Sequence, residues 1–304
     1  IKADFNQHLI PDKVVSGFGY RHTDGRVEPI IHPSDTRTKI HYRLLPMTRS
    51  MIGELFTPKQ VEDHLRLIES HLSFPDGVRL MNKPVSYQGG VRVLFRRAEE
   101  SAHFGREIGL QYVHAHIRYI EAMCKIGQAQ KAYDAILQII PITIQDQVRN
   151  AVTRQSNAYF SSSDADVRDR HEAERLFDAL RVGHVRVKGG WRIYSSGPGI
   201  LINQIVSHFL GLRLSYDDFV IDPILPKQLD GLQFAFAIDE KPITVIFSIA
   251  SDAPAKVQSV TINGIETEFR RDHNPYRTGG VRIPRADFYS PLSDDTNRIL
   301  ISSA

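Results

Sequence analysis

Cysteine and excess charge are both scarce in this sequence, and each shortage excludes classes of protein. Cys124 is the only cysteine among 304 residues, which excludes a disulfide-stabilised fold and a zinc site built from cysteines. Lysine and arginine total 38 against 35 aspartates and glutamates, so the net charge is only +3. Both signs are spread along the chain without a long basic block, so nucleic acid is not an expected partner. A reducing compartment, the cytoplasm, is the expected location.

Long apolar runs are missing as well. No stretch approaches the roughly 20 apolar residues that a membrane span requires, so a membrane is not an expected partner. Residues 1–6 contain neither an initiator methionine nor the apolar core of a signal peptide. We therefore expect the chain to be the C-terminal part of a longer protein, with an upstream segment of that protein as a partner. The hydrophobic content of 41% is enough for a globular core.

Helical periodicity dominates the first two thirds of the chain. Thr57 and Gln60 form a capping-box pattern, with Pro58 at the first helical position of a predicted helix. Similar apolar patterns predict four further helices, over residues 110–126, 129–140, 171–181 and 198–212. Residues 1–47 show no sustained period and are predicted to form loops and short strands.

The sequence pattern changes after Tyr216. Residues 233–238 and 243–249 are strand-like, and an Asn263-Gly264 pair between apolar runs predicts a tight hairpin. We predict a mainly α region over residues 1–215 and a β-rich region over residues 216–304.

One face of the predicted helix at 110–126 is polar. Gln111, His114, Arg118 and Glu121 recur at spacings of three and four, which places them on the same side of a helix. A solvated helix face is the plain alternative. Arg106, just upstream, favours instead a helix that faces a cavity.

A second polar segment follows within residues 151–170, and its candidate ligands are Arg154, Gln155, Asn157 and Tyr159. Such side chains suit a sugar, because each ring offers many hydroxyl groups for hydrogen bonds and a face for stacking. The plain alternative is a polar loop that ends in a helix N-cap at Ser163 or Asp164.

A third candidate is the segment 189–199, which has the sequence GGWRIYSSGPG and leads into the last predicted helix. With Pro198 at the first helical position, backbone amides and the hydroxyls of Ser195 and Ser196 would gather at a helix N-terminus, which attracts anions. Many capped helices look similar. Joined to His114 and the nearby arginines, the pattern becomes a hypothesis of a phosphate site.

Several long runs resemble the inverting phosphorylases of glycoside hydrolase family 94, and most closely its 1,2-β-oligoglucan phosphorylase branch. The runs are 42–48 (YRLLPMT), 74–81 (FPDGVRLM), 104–119 (FGREIGLQYVHAHIRY), 154–164 (RQSNAYFSSSD) and 189–200 (GGWRIYSSGPGI). The likeness covers nearly the whole chain and weakens after about residue 245.

The resemblance implies a fold and a reaction. The fold would be the C-terminal half of an (α/α)6 barrel followed by a β-rich region. The reaction would be reversible, inverting phosphorolysis of β-1,2-linked oligoglucans, a glycosyltransferase-type activity that releases α-glucose 1-phosphate. Inorganic phosphate would be a co-substrate, and neither a metal nor an organic cofactor is expected.

The resemblance also assigns residues to the site. His114 is similar to a phosphate-binding histidine of the family, and Ser195-Ser196 replace a phosphate-binding Thr-Gly pair. Arg106 is a further candidate phosphate ligand. The expected sugar ligands are Arg154, Gln155, Asn157, Tyr159 and Tyr194.

The family's general acid is an aspartate in a motif like Gly-Asp-Trp-Asn-Asp-Gly, which this sequence lacks. No catalytic acid is therefore expected in this chain, and the acid is expected upstream. Two alternatives stay open. One is an inverting hydrolase with Glu107 or Glu121 as its base, and the other is a non-catalytic, glucan-binding half.

Overall fold

Helix and strand share the chain more evenly than the sequence patterns predicted. The computed structural model describes residues 1–84, 112–140, 144–152, 164–188, 196–251 and 256–304. Of the residues that it describes, 37% are helical and 25% lie in strands, so the expectation of a mainly α fold is wrong. The partial (α/α)6 barrel stays a prediction.

Ten α-helices lie in the described parts of the chain. They are α1 (Lys2–Leu9), α2 (Leu44–Ile52), α3 (Pro58–His71), α4 (Val113–Lys125), α5 (Ala129–Leu137), α6 (Ile144–Gln147), α7 (Arg170–Arg175), α8 (Phe177–Arg181), α9 (Ser196–Gln204) and α10 (Arg285–Tyr289). A π-helical stretch, Ile205–Phe209, continues α9. Among these described helices, none combines the length and the apolar character that crossing a membrane requires.

The strands in the first part of the chain are short and form two pairs and one three-stranded sheet, and the longest strands lie near its end. They are β1 (Phe18–Arg21), β2 (Val27–Ile30), β3 (Ser73–Phe74), β4 (Gly77–Val78), β5 (Ala151–Val152), β6 (Asp164–Ala165), β7 (Val187–Lys188), β8 (Leu212–Leu214), β9 (Asp218–Ile221), β10 (Gln233–Ile238), β11 (Lys241–Ile249), β12 (Val257–Ile262), β13 (Ile265–Glu266), β14 (Arg270–Arg271), β15 (Val281–Pro284) and β16 (Asn297–Ser303). Strands β3 to β7 are two residues long, too short for an alternating pattern to reveal them.

The chain divides into two compact units. The first comprises Ile1–Ala122 and Asp134–Ile200, and the second comprises Met123–Tyr133 and Leu201–Ala304. Helix α4 thus begins in the first unit, and its last turn belongs to the second. The predicted domain boundary between residues 215 and 216 stays a prediction.

The capping box of α3 is confirmed. The Thr57 hydroxyl accepts from the Gln60 amide at 3.2 Å, and the Gln60 side chain accepts from the Thr57 amide at 2.8 Å. Two orphan donors at the helix start are thereby satisfied, with Pro58 at the position where a missing N–H does no harm.

Other helices differ from the sequence patterns in detail. Helices α1 and α2 fall within or begin within the region predicted as loops and strands. The helix predicted at 171–181 is two short helices, α7 and α8. Asp169 caps α7 by accepting from the Glu172 amide at 2.8 Å. The N-cap alternative at Asp164 is wrong, since that residue lies in β6.

The second unit is built on two sheets, ordered β10-β11-β16-β12-β13 and β14-β15-β9-β8. Strand β10 has the predicted bounds, and the Asn263-Gly264 turn joins β12 to β13 with positive φ at both residues, as a type I′ turn requires. Buried Asn297 at the start of β16 ties several loops together, because its amide donates to the carbonyls of Pro242, Ser293 and Asp295.

Arg277 holds the C-terminal end of α4 within the second unit. Its guanidinium is 4% exposed and pairs in bidentate fashion with Asp222, at 2.9 and 2.8 Å. The same group donates to the carbonyls of Lys125 and Cys124, at 3.2 and 3.3 Å. These are carbonyls of the last helical turn, which have no partner inside the helix. Gly127, at φ +79°, ends the helix against this arginine: a Cβ there would lie 2.7 Å from Arg277 Cδ.

Two buried histidines are part of the core of the first unit. His116 on α4 accepts at Nδ1 from the Val78 amide, at 3.2 Å, and donates from Nε2 to the Ala135 carbonyl, at 2.7 Å. His64 on α3 donates from Nδ1 to the Gln60 carbonyl, at 2.7 Å, and accepts at Nε2 from the Val15 amide, at 3.0 Å. Each ring is therefore a neutral tautomer with both nitrogens engaged.

We predict that Arg277→Ala destabilises the protein by about 2 kcal/mol, because it removes the bidentate partner of Asp222 and a donor to two helix-end carbonyls. The remaining partners of these acceptors are Arg213, Asn274 and the Gly127 amide. Arg270→Ala is the matched control: Arg270 is 66% exposed and pairs with Asp218, which Arg282 also contacts. Its loss should cost less than about 1 kcal/mol. Urea unfolding measures both variants, and equal losses would contradict the role assigned to Arg277.

A second prediction concerns pH. Burial lowers the pKa of His116 from its ordinary value of 6.5 to about 4, and burial also lowers the pKa of His64. Between pH 6.5 and pH 4 the unfolded chain binds protons that the folded chain does not. The free energy of unfolding therefore falls as the pH drops through this range. His116 alone should contribute on the order of 3 kcal/mol to this fall.

The measurement is the free energy of unfolding in urea between pH 7 and pH 4.5. His116→Gln should flatten the slope, whereas His273→Gln, at an exposed position, should keep the wild-type slope. A wild-type slope in His116→Gln would show that this ring titrates normally.

Candidate functional site

Most of the predicted ligands lie outside the described residues. These are Arg106, Arg154, Gln155, Asn157, Tyr159, Tyr194 and Ser195. Glu107 and Gln111 lie outside them too. The structure describes His114 with its side chain and Ser196 through its backbone, so the site is built from these two and their neighbours.

His114 is the second residue of α4 and is half-buried. Its ring is stacked on Tyr112, with the planes 5° apart and the centroids 5.3 Å apart. Tyr112 directly precedes the helix, and its carbonyl accepts from the amides of Ala115 and His116, at 2.9 and 3.0 Å. The imidazole therefore lies in the first helical turn, and stacking on the Tyr112 ring restricts its orientation.

This location favours an anion. The Tyr112 carbonyl already engages two amides of this turn, and the aligned peptide dipoles place partial positive charge at this end of the helix. An imidazole there adds a directional donor. Helix α4, at 13 residues, is long enough for this effect to develop.

Ser196 is the first residue of α9. The sequence pattern placed Pro198 at the first helical position, and the structure begins the helix two residues earlier, which puts Pro198 inside the first turn. Proline is tolerated there because the amide that it lacks would have no helical partner. His114 and Ser196, two of the predicted phosphate ligands, thus each lie in the first turn of a helix.

Two residues on the polar face of α4 form an ion pair with each other. Arg118 Nη1 donates to Glu121 Oε2 at 2.7 Å, and Glu121 is 8% exposed. A carboxylate bound in this way is already committed to a neighbour on its own helix. Glu121 is therefore a poor candidate for a general base, which would have to be available to a water molecule.

His116 cannot share a ligand with His114. Both of its ring nitrogens are engaged with backbone groups, and the ring is fully buried. Within the described ranges, no group of three or more His, Cys, Asp or Glu side chains is arranged to hold a metal ion.

The run 74–81 has a structural role in the part of the chain that is described. Strands β3 and β4 pair across a turn, and buried Arg79 donates to Asp76 Oδ1 at 2.7 Å. The Arg79 guanidinium also lies 4.3 Å from the centre of the Phe74 ring. Val78, in the same hairpin, supplies the amide that His116 accepts.

Sequence reasoning missed Tyr112 as a neighbour of His114. Residues two apart on a helix point in different directions, so helical spacing does not predict the contact. It forms because Tyr112 precedes the helix and its backbone is not yet helical. An aromatic residue at the helix boundary was the available signal.

Comparison with known proteins extends this description. Residues 211–301 match a family model described as the glycoside phosphorylase C-terminal domain. Over 297 residues, 97% of this chain, the sequence is 46% identical to the 1,2-β-oligoglucan phosphorylase of Listeria innocua serovar 6a. The chain spans 27% of the length of that relative. These two matches confirm the resemblance that the sequence motifs carry: over nearly its whole length the chain is similar to part of a glycoside phosphorylase.

Proposed function

We propose that the protein containing this chain catalyses reversible, inverting phosphorolysis of β-1,2-linked oligoglucans. Its products are α-glucose 1-phosphate and a glucan one unit shorter. The name of the relative supports the substrate and the reaction, and the identity of 46% extends over 97% of this chain. Oligoglucan and inorganic phosphate are the partners that this function implies.

The observation that carries the proposal is the position of His114. It lies in the first turn of α4 with its ring stacked on Tyr112, where the helix dipole and the imidazole together favour a dianion. Ser196, at the start of α9, offers a second helix N-terminus. We assign phosphate binding to His114, Ser195, Ser196 and Arg106.

The chemistry follows from a nucleophile that is already charged. A phosphate oxygen attacks the anomeric carbon from the α face, and the glycosidic carbon–oxygen bond breaks. The departing oxygen takes a proton from a carboxylic acid. Because phosphate replaces the activated water, one carboxylic acid suffices where an inverting hydrolase needs two carboxyl groups. The chemistry requires neither a metal nor an organic cofactor.

We place that acid on a part of the protein outside this chain, and the sugar contacts on Arg154, Gln155, Asn157, Tyr159 and Tyr194. Amide, guanidinium and phenol groups suit the many hydroxyls of a glucan. The motif expected for the acid is missing from the sequence, which supports an acid elsewhere.

A hydrolase on the same scaffold is the main rival. It would need a second carboxylate as base, and Glu121 is bound by Arg118. A non-catalytic, glucan-binding segment is the other rival. It predicts glucan affinity without turnover in the intact protein.

We predict that His114→Ala lowers phosphate-dependent turnover by roughly 30-fold to 1,000-fold, equivalent to the ~2 to 4 kcal/mol that a donor to a desolvated anion supplies. The measurement is release of α-glucose 1-phosphate from a β-1,2-oligoglucan by the intact protein, with phosphate varied. His273→Ala, at an exposed position, is the control and should behave as wild type.

The same assay separates the rivals. Free glucose released at equal rates with and without phosphate would establish a hydrolase. Glucan binding without any product would establish a non-catalytic segment. Wild-type phosphate saturation in His114→Ala would remove His114 from the site while leaving phosphorolysis intact.

A further inference from the structure

His116 lies two residues after His114, and its ring is bound on both sides. Nδ1 accepts from the amide of Val78 in β4, and Nε2 donates to the carbonyl of Ala135 in α5, at 3.2 and 2.7 Å. The ring is fully buried. These two bonds connect the beginning of α4 to one strand and one helix of the first unit.

Both bonds require the same protonation state. Nδ1 must be an acceptor and Nε2 must carry the proton, which is the neutral Nε2–H tautomer. Burial favours that neutral ring by lowering the pKa of His116 to about 4. Asp76 favours the charged ring and Arg79 opposes it, and these two are themselves paired at 2.7 Å. The connection therefore persists throughout the neutral pH range.

Among the connections of α4, the one at His116 bears most directly on His114, because both residues lie in the first turns of the helix. The two residues are separated by about 3 Å along the helix axis, at 1.5 Å per residue. A shift of the backbone at His116 is therefore transmitted to His114 almost undiminished. Phosphate binding is sensitive to such shifts, because directional donors lose most of their effect when misplaced by about 1 Å.

We propose that His116 is a positioning residue for phosphate: by binding Val78 and Ala135 it fixes the first turns of α4, and through them the placement of the His114 ring. This inference rests on the proposed function, in which His114 contacts phosphate. His116 touches no substrate and acts only through His114.

The chain offers a closely matched control in His64. It is also fully buried and also bonded at both nitrogens to one amide and one carbonyl. Its ring is stacked on Phe56, with the centroids 4.2 Å apart. Its helix, α3, carries none of the predicted phosphate ligands. Replacing His64 should therefore reproduce the loss of stability without the effect on phosphate.

The experiment is steady-state phosphorolysis by the intact enzyme, with inorganic phosphate and β-1,2-oligoglucan varied separately. His116→Leu should raise the KM for phosphate by about 10-fold to 100-fold, while the KM for glucan changes less than about 2-fold. His116→Gln can keep the bond to Ala135, and His116→Asn can keep the bond to Val78. Both should lie between wild type and His116→Leu, and either serves if His116→Leu does not fold.

The double variant with His114→Ala is the decisive comparison. If His116 acts through His114, adding His116→Gln to His114→Ala should leave the KM for phosphate at the value of His114→Ala alone. His64→Gln should leave the KM for phosphate unchanged in either background.

Three outcomes would overturn the inference. The first is a wild-type KM for phosphate in folded His116 variants. The second is an equal rise in His64→Gln, which would show a general loss of stability. The third is full additivity with His114→Ala. A wild-type enzyme that releases no glucose 1-phosphate would instead overturn the proposed function, and this inference with it.

Discussion

Helix α4 is held at both ends by buried side chains that satisfy backbone groups, and the rest of the arrangement depends on this constraint. Near its start, the His116 ring binds a strand amide and a helix carbonyl. At its end, Arg277 binds two carbonyls of the last turn and the carboxylate of Asp222. These hydrogen bonds fix the helix, because burying an unpaired polar group costs more free energy than a formed hydrogen bond gains. The helix therefore has few alternative positions of similar energy, and rigidity of this kind is what a precisely placed ligand requires.

The interactions of Arg277 and those of His116 differ in how they respond to salt and to acid. The Arg277–Asp222 pair is ionic, bidentate and largely inaccessible, so salt should weaken it little. His116 depends on a neutral ring, so acid lowers the free energy of unfolding from about pH 6.5 downward. In the folded chain the ring stays neutral until the pH approaches 4, so its two hydrogen bonds persist while stability declines.

Short sequence patterns correctly predicted the caps and turns whose interactions lie within a few neighbouring residues. The capping box at Thr57 and the Asn263-Gly264 turn are confirmed because each is complete within four residues. The two-residue strands were not predictable, since two residues are too few for an alternating pattern to show. Contacts between residues far apart in the sequence were not predictable either: His116 reaches Val78 across 38 residues and His64 reaches Val15 across 49. The sequence spacing predicted that His114 lies on the polar face of a helix. Only the structure shows that Arg118 and Glu121 on this face bind each other.

That ion pair also bears on the proposed use of phosphate. An inverting hydrolase needs a carboxylate that is free to activate water, whereas phosphate arrives as an anion and needs only to be held in line. In the described part of α4, the carboxylate is neutralised and the imidazole lies at the positive end of the helix. Both features favour binding an anion over generating a hydroxide. Under the proposed function, conversion to a hydrolase would take more than removing His114. Glu121 would also have to be released from Arg118 and left buried without a partner, which would cost stability.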